Sequence, residues 1–340
     1  MDRRQGNLPQ PKGYEYREEP VKPEHADICL NRNVVLHHTY KVKKTVSRSE
    51  LAMIYTGRHV ESGQAVIIKE SYPKQLALRD LDKRTVLCRI PSAKRQYDEL
   101  REAFLMETKV LQQLSHPNIV RYLDHFEENG THYIVTEYCK GVSLDRYIEE
   151  GQLTSMADFL HRTMLPLIDA LEYVHAQGII HRDIKPANVI IGEDGQPMLL
   201  DFGSAVYYER TGHRIFTSAG YSPLEFYSEK SRQGVVSDVY SFAATLYFCL
   251  CGRAPNDVTR RLFDDSIDPV RSWNRSVSPL MSHVIRRGLA VNPDKRHSSM
   301  KRLKAALHTE RLLRTVIERL PGKRQQPDDT RQKLPGRKRA

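Results

Sequence analysis

Between Tyr40 and Lys69 large apolar residues alternate with polar ones, and Val42, Val46, Ile54, Tyr55 and the run Val66–Ile68 mark successive strands, with Gly57 and Gly63 as punctuation. After a charged stretch the period lengthens. Leu100, Phe104, Leu105, Val110, Leu111 and Leu114 recur at helical spacing, which predicts a helix over 97–114. His132–Glu137 reads as a further strand. Beyond Gly141 helical spacing dominates: Thr154 or Ser155 is a candidate N-cap for a helix running through Phe159, Leu160, Met164, Leu165, Ile168, Leu171 and Val174, and stopping at Gly178. Val235–Leu250 is apolar on nearly every side, which predicts a helix buried in the core and ended by Gly252. Helical character persists to about Leu320, where Pro321-Gly322 breaks it. A strand-rich first part followed by a helical second part predicts two lobes with a ligand cleft between them.

Composition narrows the class. At 340 residues the chain has ample length for a well-buried core. It holds no apolar run long enough to span a membrane, and the polar start Met1–Gly6 excludes a secretory signal there. Cys29, Cys88, Cys139, Cys249 and Cys251 are odd in number and lack C-x-x-C spacing; they read as small apolar residues in a reducing, cytoplasmic setting rather than as disulfides or a zinc site. Of the formal charge of +11, seven units come from residues 311–340, with ten Lys or Arg against three Asp or Glu. The basicity is therefore mainly a property of the tail. Nucleic-acid binding is the disfavoured reading, because the tail has no aromatic residue to stack on bases. Residues 1–33, rich in proline and mixed charge, read as a flexible arm.

Four constellations occur in a telling order. Lys69 ends the strand Val66–Ile68, and Glu107 lies in the middle of the predicted 97–114 helix. The run His181-Arg182-Asp183-Ile184-Lys185-Pro186-Ala187-Asn188 follows a long helix, and Asp201-Phe202-Gly203 follows the short apolar strand Met198–Leu200. Singly, each residue has a plainer explanation as a strand-end lysine, an exposed helix glutamate or a turn. Together they resemble the protein kinase family. His116–Val120, Gly220–Glu225 with Pro223-Leu224-Glu225, Asp238–Ser241, and Asn292–Arg296 extend the likeness from about Tyr40 to Leu307.

The resemblance implies an α+β, bilobal protein kinase fold, with a small mainly β N-lobe carrying one regulatory helix and a larger mainly α C-lobe. Its expected limits are 34–310: N-lobe 34–136, hinge 137–141 and C-lobe 142–310, followed by a helix end and a disordered basic tail over 311–340. It implies ATP as phosphoryl donor and Mg2+ as metal, with Mn2+ as an alternative. Phosphoryl transfer needs dense negative charge held in line with an acceptor oxygen, and hard cations take oxygen ligands. Asp201 and Asn188 would then supply metal ligands, Asp183 would orient the substrate hydroxyl, and Lys185 would reach the γ-phosphate. Lys69 would hold the α- and β-phosphates, aimed by an ion pair with Glu107. Val46, Ser47, Ser49 and Ala52 would lie over the nucleotide. Ile54, Ile67 and Ile190 would sandwich the adenine, with Thr136 as gatekeeper, Glu137 and Cys139 in the hinge, and Ser143 at the cleft edge. Glu225 would pair with Arg296. Lys185 and Ser218 fit a serine/threonine kinase acting on protein. Arg182 fits control by phosphorylation of the activation segment, at Thr211 or Thr217, by the kinase itself.

Two departures stand out. The glycine-rich loop becomes Ser47-Arg48-Ser49-Glu50-Leu51-Ala52, without glycine. Backbone N–H groups survive that change and the serine hydroxyls add donors, but Glu50 has the wrong sign beside phosphates unless it turns outward. This leaves two expectations, an active kinase with a stiffer lid or a pseudokinase scaffold with weak or no turnover. The first is favoured, because every residue expected to touch metal or the transferred phosphate is present. A small-molecule phosphotransferase is disfavoured by Ser218, Glu225, Asp238 and Arg296, which fit a protein substrate. The second departure is the long stretch between Lys69 and Glu107, with Glu70-Ser71-Tyr72-Pro73 and Arg79-Asp80. It is similar to a group of bacterial eukaryotic-like kinases, as are Tyr221–Tyr227 and Gln233-Gly234.

Overall fold

The computed structural model describes residues 28–208 and 214–319. Alternating apolar positions build the first lobe: β1 (Val35–Leu36), β2 (Tyr40–Arg48), β3 (Ala52–His59), β4 (Ala65–Ser71), a small hairpin of β5 (Ala77–Arg79) and β6 (Val86–Cys88), helix α1 (Lys94–Gln113), β7 (Tyr122–Glu128) and β8 (Thr131–Glu137). The main sheet is antiparallel throughout, in the order β1-β2-β3-β4-β8-β7. Along β4 the two-residue period buries Val66, Ile68 and Glu70 and leaves Ile67 and Lys69 on the opposite face. One charged residue is thus sent into the core.

The second lobe contains β9 (Val142–Ser143), α2 (Leu144–Glu149), α3 (Met156–Phe159), α4 (Leu165–Ala176), β10 (Ile179–Ile180), β11 (Val189–Ile191), β12 (Pro197–Leu199), β13 (Val206–Tyr207), α5 (Val235–Cys251), α6 (Val270–Trp273), α7 (Pro279–Gly288) and α8 (Lys301–Arg319). The helix expected after Thr154 is present with Ser155 as its cap, the Oγ accepting from Asp158 N at 3.1 Å. It is not uniform: a π-helical stretch, Leu160–Met164, joins α3 to α4. Pro166, which has no N–H to donate, sits in the first turn of α4, next to where the regular ladder widens. In α5 every residue from Ser237 to Leu250 is buried, and Gly252 ends the helix at φ 68°, the left-handed conformation that glycine adopts without strain.

One apolar core fills the helical lobe and continues through Phe104, Val110 and Leu111 of α1 into the first lobe; a second lies on the far face of the sheet, around Tyr55, Ile68 and Tyr133. The second core corrects one expectation. The arm assigned to 1–33 gives way to packed chain at residue 28: Cys29 and Leu30 are buried, and Leu30 N donates to Tyr55 Oη at 3.1 Å. Residues 1–27 and 320–340 lie outside the described residues, so the rest of the arm and the basic tail do too. The Glu70–Arg79 stretch packs into this second core. Glu70 is fully buried; its carboxylate accepts from both terminal nitrogens of Arg79 at 2.7 Å and from the hydroxyls of Tyr55 and Tyr133 at 2.7 and 2.9 Å. Arg79 also donates to Ile28 O, which ties the entering chain to the β5–β6 hairpin. Every strong donor and acceptor is matched, as a buried charge requires. Among the described residues no helix is long and apolar enough to cross a membrane.

Candidate active site

A cleft of about 430 Å³ lies between the sheet and the helical lobe. Its upper wall is the β2–β3 hairpin and β4, through Val46, Ser47, Ser49, Ile54 and Ile67. Its back is the end of β8 and the segment after it, through Thr136, Glu137 and Cys139, and its floor includes Ser143, Asn188 and Ile190. Register explains the convergence: Ile67 pairs with Thr136 across β4 and β8, and Ile190 with Ser143 across β11 and β9. Ile54, Ile67 and Ile190 therefore line one narrow apolar slot. Leu111, Val120, Ile134, Ala187 and Leu200 also line the cleft. Sequence reasoning missed them as lining residues because their spacing is that of ordinary core positions. Ala52 does not line this cleft; it is buried in the core and borders an adjoining cavity.

Three charged groups meet at the inner end. Lys69 Nζ lies 2.8 Å from both carboxylate oxygens of Glu107 and 2.8 Å from Asp201 Oδ1. Burial works against the ammonium charge, but Asp201 and Glu107 more than offset it, so the pKa of Lys69 rises above the ordinary lysine value. Lys69 beside Asp201 holds that carboxyl at about 2. Burial pushes the Glu107 carboxyl up, with Lys69 pulling the other way. Gly203 makes room for the cluster: a Cβ there would stand 3.2 Å from Asp201 Oδ1, Glu107 Oε2 and Lys69 Nζ alike.

At the cleft mouth Asp183 is clamped on both oxygens. Oδ2 accepts from Lys185 Nζ and Asn188 Nδ2, each at 2.8 Å, and Oδ1 accepts from Ser218 Oγ at 2.8 Å. Lys185 Nζ also donates to Ser218 Oγ at 3.0 Å. Asp238, fully buried at the start of α5, holds the loop from below, accepting from His181 N at 2.8 Å, Arg182 N at 2.9 Å and pairing with His175 Nε2 at 2.8 Å. Burial disfavours its charge, yet these hydrogen bonds and the nearby imidazoles keep its pKa below the usual carboxylate value. The loop turns at Arg182 with φ 68°, and Asp201 has φ 56°; both are left-handed conformations that side chains other than glycine rarely take, held here by the surrounding bonds. His181 packs edge-on against Phe202, the ring centroids 4.6 Å apart. Glu225 and Arg296 pair at 2.6 and 3.1 Å in the core.

The glycine-free hairpin is where the geometry departs most from expectation. Ser49 Oγ accepts from Ala52 N at 2.9 Å and Leu51 N at 3.3 Å, and donates to Ala52 O at 3.1 Å. Its hydroxyl is turned onto its own loop rather than offered to the cleft as a free donor. Glu50 does turn outward: its side chain is 71% exposed and reaches Lys74 Nζ at 3.8 Å.

Asn188 and Asp201 both line the cleft. Among the described residues no group of three or more His, Cys, Asp or Glu could enclose a metal. One carboxylate and one amide fit a magnesium ion that completes its shell with water and phosphate oxygens.

Comparison with known proteins accords with this geometry. The protein kinase domain family matches residues 40–308. The chain is 29% identical over 281 residues to Serine/threonine-protein kinase C of Synechocystis sp., covering 78% of this chain and 48% of that protein. It is 29% identical over 221 residues to Serine/threonine-protein kinase PrkC of Bacillus subtilis, covering 62% of this chain and 34% of that protein. The chain thus spans about half or less of the length of these curated relatives. A solved structure described as PpkA-294 apo form superposes with a TM-score of 0.72 at 25% identity, covering 82% of this chain and 99% of that one. With its paired Lys69 and Glu107, its clamped Asp183 and a family match over most of its length, the chain belongs to the protein kinase family.

Proposed function

We propose that the protein transfers the γ-phosphoryl group of ATP to serine or threonine hydroxyls on protein. The observation that carries this is the double clamp on Asp183: Lys185 and Asn188 on one oxygen and Ser218 on the other fix the carboxylate beside the cleft. Adenine enters the apolar slot of Ile54, Ile67 and Ile190, with backbone groups of Glu137 and Cys139 as partners. Lys69, held charged by its two carboxylates, binds α- and β-phosphate oxygens. Magnesium, held by Asn188 and Asp201, supplies neutralising charge on the phosphates when bound. Asp183 orients the acceptor hydroxyl and takes its proton, while Lys185 balances the charge gathering on the transferred group. Residues 28–136, 137–141 and 142–310 act as N-lobe, hinge and C-lobe around this site. Five free cysteines suit a reducing, cytoplasmic setting.

Self-phosphorylation belongs to the same reading. Arg182 is buried, its guanidinium donating to Ser204 O and Arg214 O, while Nε has no partner among the described residues. Burial lowers its pKa to about 10. A phosphate on the neighbouring segment would give that buried guanidinium an anionic partner. Thr217 is exposed and described; Thr211 lies outside the described residues. Incubation with ATP and magnesium followed by mass spectrometry tests both statements. Phosphoserine or phosphothreonine in wild type and none in Asp183→Ala is the expected result. Absence of phosphate transfer from wild type to itself and to generic protein acceptors, across magnesium and manganese, contradicts it.

A further inference from the structure

The hairpin above the cleft has engaged the amides of Ser49, Leu51 and Ala52 before any ligand arrives. In a loop that covers nucleotide phosphates, the useful groups are backbone N–H donors at the tip, where successive amides form an anion-binding concavity. Here the amides of Leu51 and Ala52 both donate to Ser49 Oγ, at 3.3 and 2.9 Å, and Ser49 N donates to Ala52 O at 2.9 Å. The carbonyls are engaged as well. Tyr72 N donates to Leu51 O at 2.9 Å, Lys74 N to Glu50 O at 3.0 Å, and Lys74 Nζ to Arg48 O at 3.2 Å. The chain leaving β4 thus runs as a strap along the tip, continuing the β3–β4 pairing that ends at Ala52 and Ser71. Glycine in such a loop confers freedom to close on a ligand. The strap and the Ser49 hydroxyl fix the tip in one shape instead.

Ser49 is the residue at issue because it lines both the 430 Å³ cleft and the adjoining cavity of about 320 Å³ that reaches Lys69 and Asp201. Its oxygen stands where the two amides converge, the place a phosphate oxygen would take. We propose that the Ser49 hydroxyl acts as an internal substitute for a phosphate oxygen and makes Ser49 a specificity-determining residue: it weakens the hold of the loop on the phosphates and leaves affinity to the adenine slot, Lys69 and the metal ligands. This rests on the nucleotide reading above and deepens it. A ligand with phosphates must displace the hydroxyl to gain the amides, whereas adenosine need not.

Calorimetric titration of the whole chain with adenosine, ADP and a non-hydrolysable ATP analogue with magnesium tests it, in wild type, Ser49→Ala and Ser49→Thr. Ser49→Ala keeps the backbone and frees the amides. The expected result is affinity for ADP and the ATP analogue tighter by about three- to tenfold, the scale of a charge-assisted hydrogen bond net of the bond it replaces. Adenosine affinity stays unchanged, and Ser49→Thr, which keeps a hydroxyl, behaves as wild type. Unchanged or weaker binding of the phosphorylated ligands in Ser49→Ala overturns the proposal. So does a uniform change that includes adenosine, which a merely structural role for Ser49 would produce. Failure of wild type and both variants to bind any of the ligands overturns the nucleotide reading itself, and this proposal with it.

Discussion

Lys69 holds Glu107 and Asp201 at 2.8 Å and pulls both carboxyls down, but the net shifts are opposite because burial outweighs the lysine at Glu107 and not at Asp201. Asp201 is depressed to about 2, chiefly by the lysine charge, so its contribution to stability is present above the unfolded value of about 3.9 and is lost as pH falls from there towards 2. Glu107 is raised by burial, so its ionised form is disfavoured by folding and acidification relieves it. Lys69→Met removes the charge that holds Asp201 down. Carboxyl-resolved NMR titration should then move the Asp201 midpoint upward from about 2, whereas an unchanged midpoint would disprove the assigned cause. Cys139, in the cleft wall, is pushed up to about 12 by burial, with Glu137 adding to the shift. Its thiolate is scarce at neutral pH, so alkylation by iodoacetamide at pH 8 should run about a hundredfold or more slower than for free cysteine. Mass-spectrometric labelling rates check this. The residues gathered at the cleft were legible as a set, because Asp183, Lys185 and Asn188 share one run and Lys69, Glu107 and Asp201 fall in order around it. The Ser49 hydroxyl bonds were not, since a serine in a loop bonds its own backbone or a ligand equally well until the turn is known.

Strands β2 to β4, helix α1 and the buried helix α5 follow directly from apolar periodicity, and Ser155 and Gly252 cap where the pattern places caps. Gly252 at φ 68° carries a prediction: Gly252→Ala should cost about 1 kcal/mol, read as a lower urea midpoint with unchanged slope. Space is not the reason, since nothing lies within 4 Å of the added Cβ. What periodicity concealed is the Glu70–Arg79 pair. Charged residues in a long, polar stretch read as solvent-facing, and their burial depends on the β5–β6 hairpin folding back over β4 and on Ile28 arriving from outside the sheet. Arg79→Met would leave the Glu70 carboxylate buried with only tyrosine hydroxyls, at a cost of about 3–5 kcal/mol. Thermal denaturation should show a large drop. Replacing both partners with apolar residues should recover much of the loss, and a small effect of Arg79→Met alone would contradict the buried-pair account.

On the scale of the whole molecule, the apolar core passes from the helical lobe into α1, so the position of Glu107 is coupled to the packing around Phe202 and His181. Asp238 fixes the loop that carries Asp183 from the helical side, and the strap from β4 fixes the hairpin from the sheet side. Both walls of the cleft are therefore tied to their own lobes by hydrogen bonds before any ligand enters. The division into a strand-rich and a helical part was legible from periodicity alone. The strap that holds the upper wall rests on hydrogen bonds between residues more than twenty positions apart, which no local pattern encodes. The most direct test of the central claim is single-turnover transfer from γ-labelled ATP with magnesium to a serine/threonine protein acceptor, comparing wild type with Asp183→Asn while nucleotide affinity is measured in parallel. The account predicts transfer by wild type and a loss of about 10²–10⁴-fold in Asp183→Asn, with affinity nearly unchanged. Equal rates in the two proteins, or no transfer by wild type that binds the nucleotide, would contradict it.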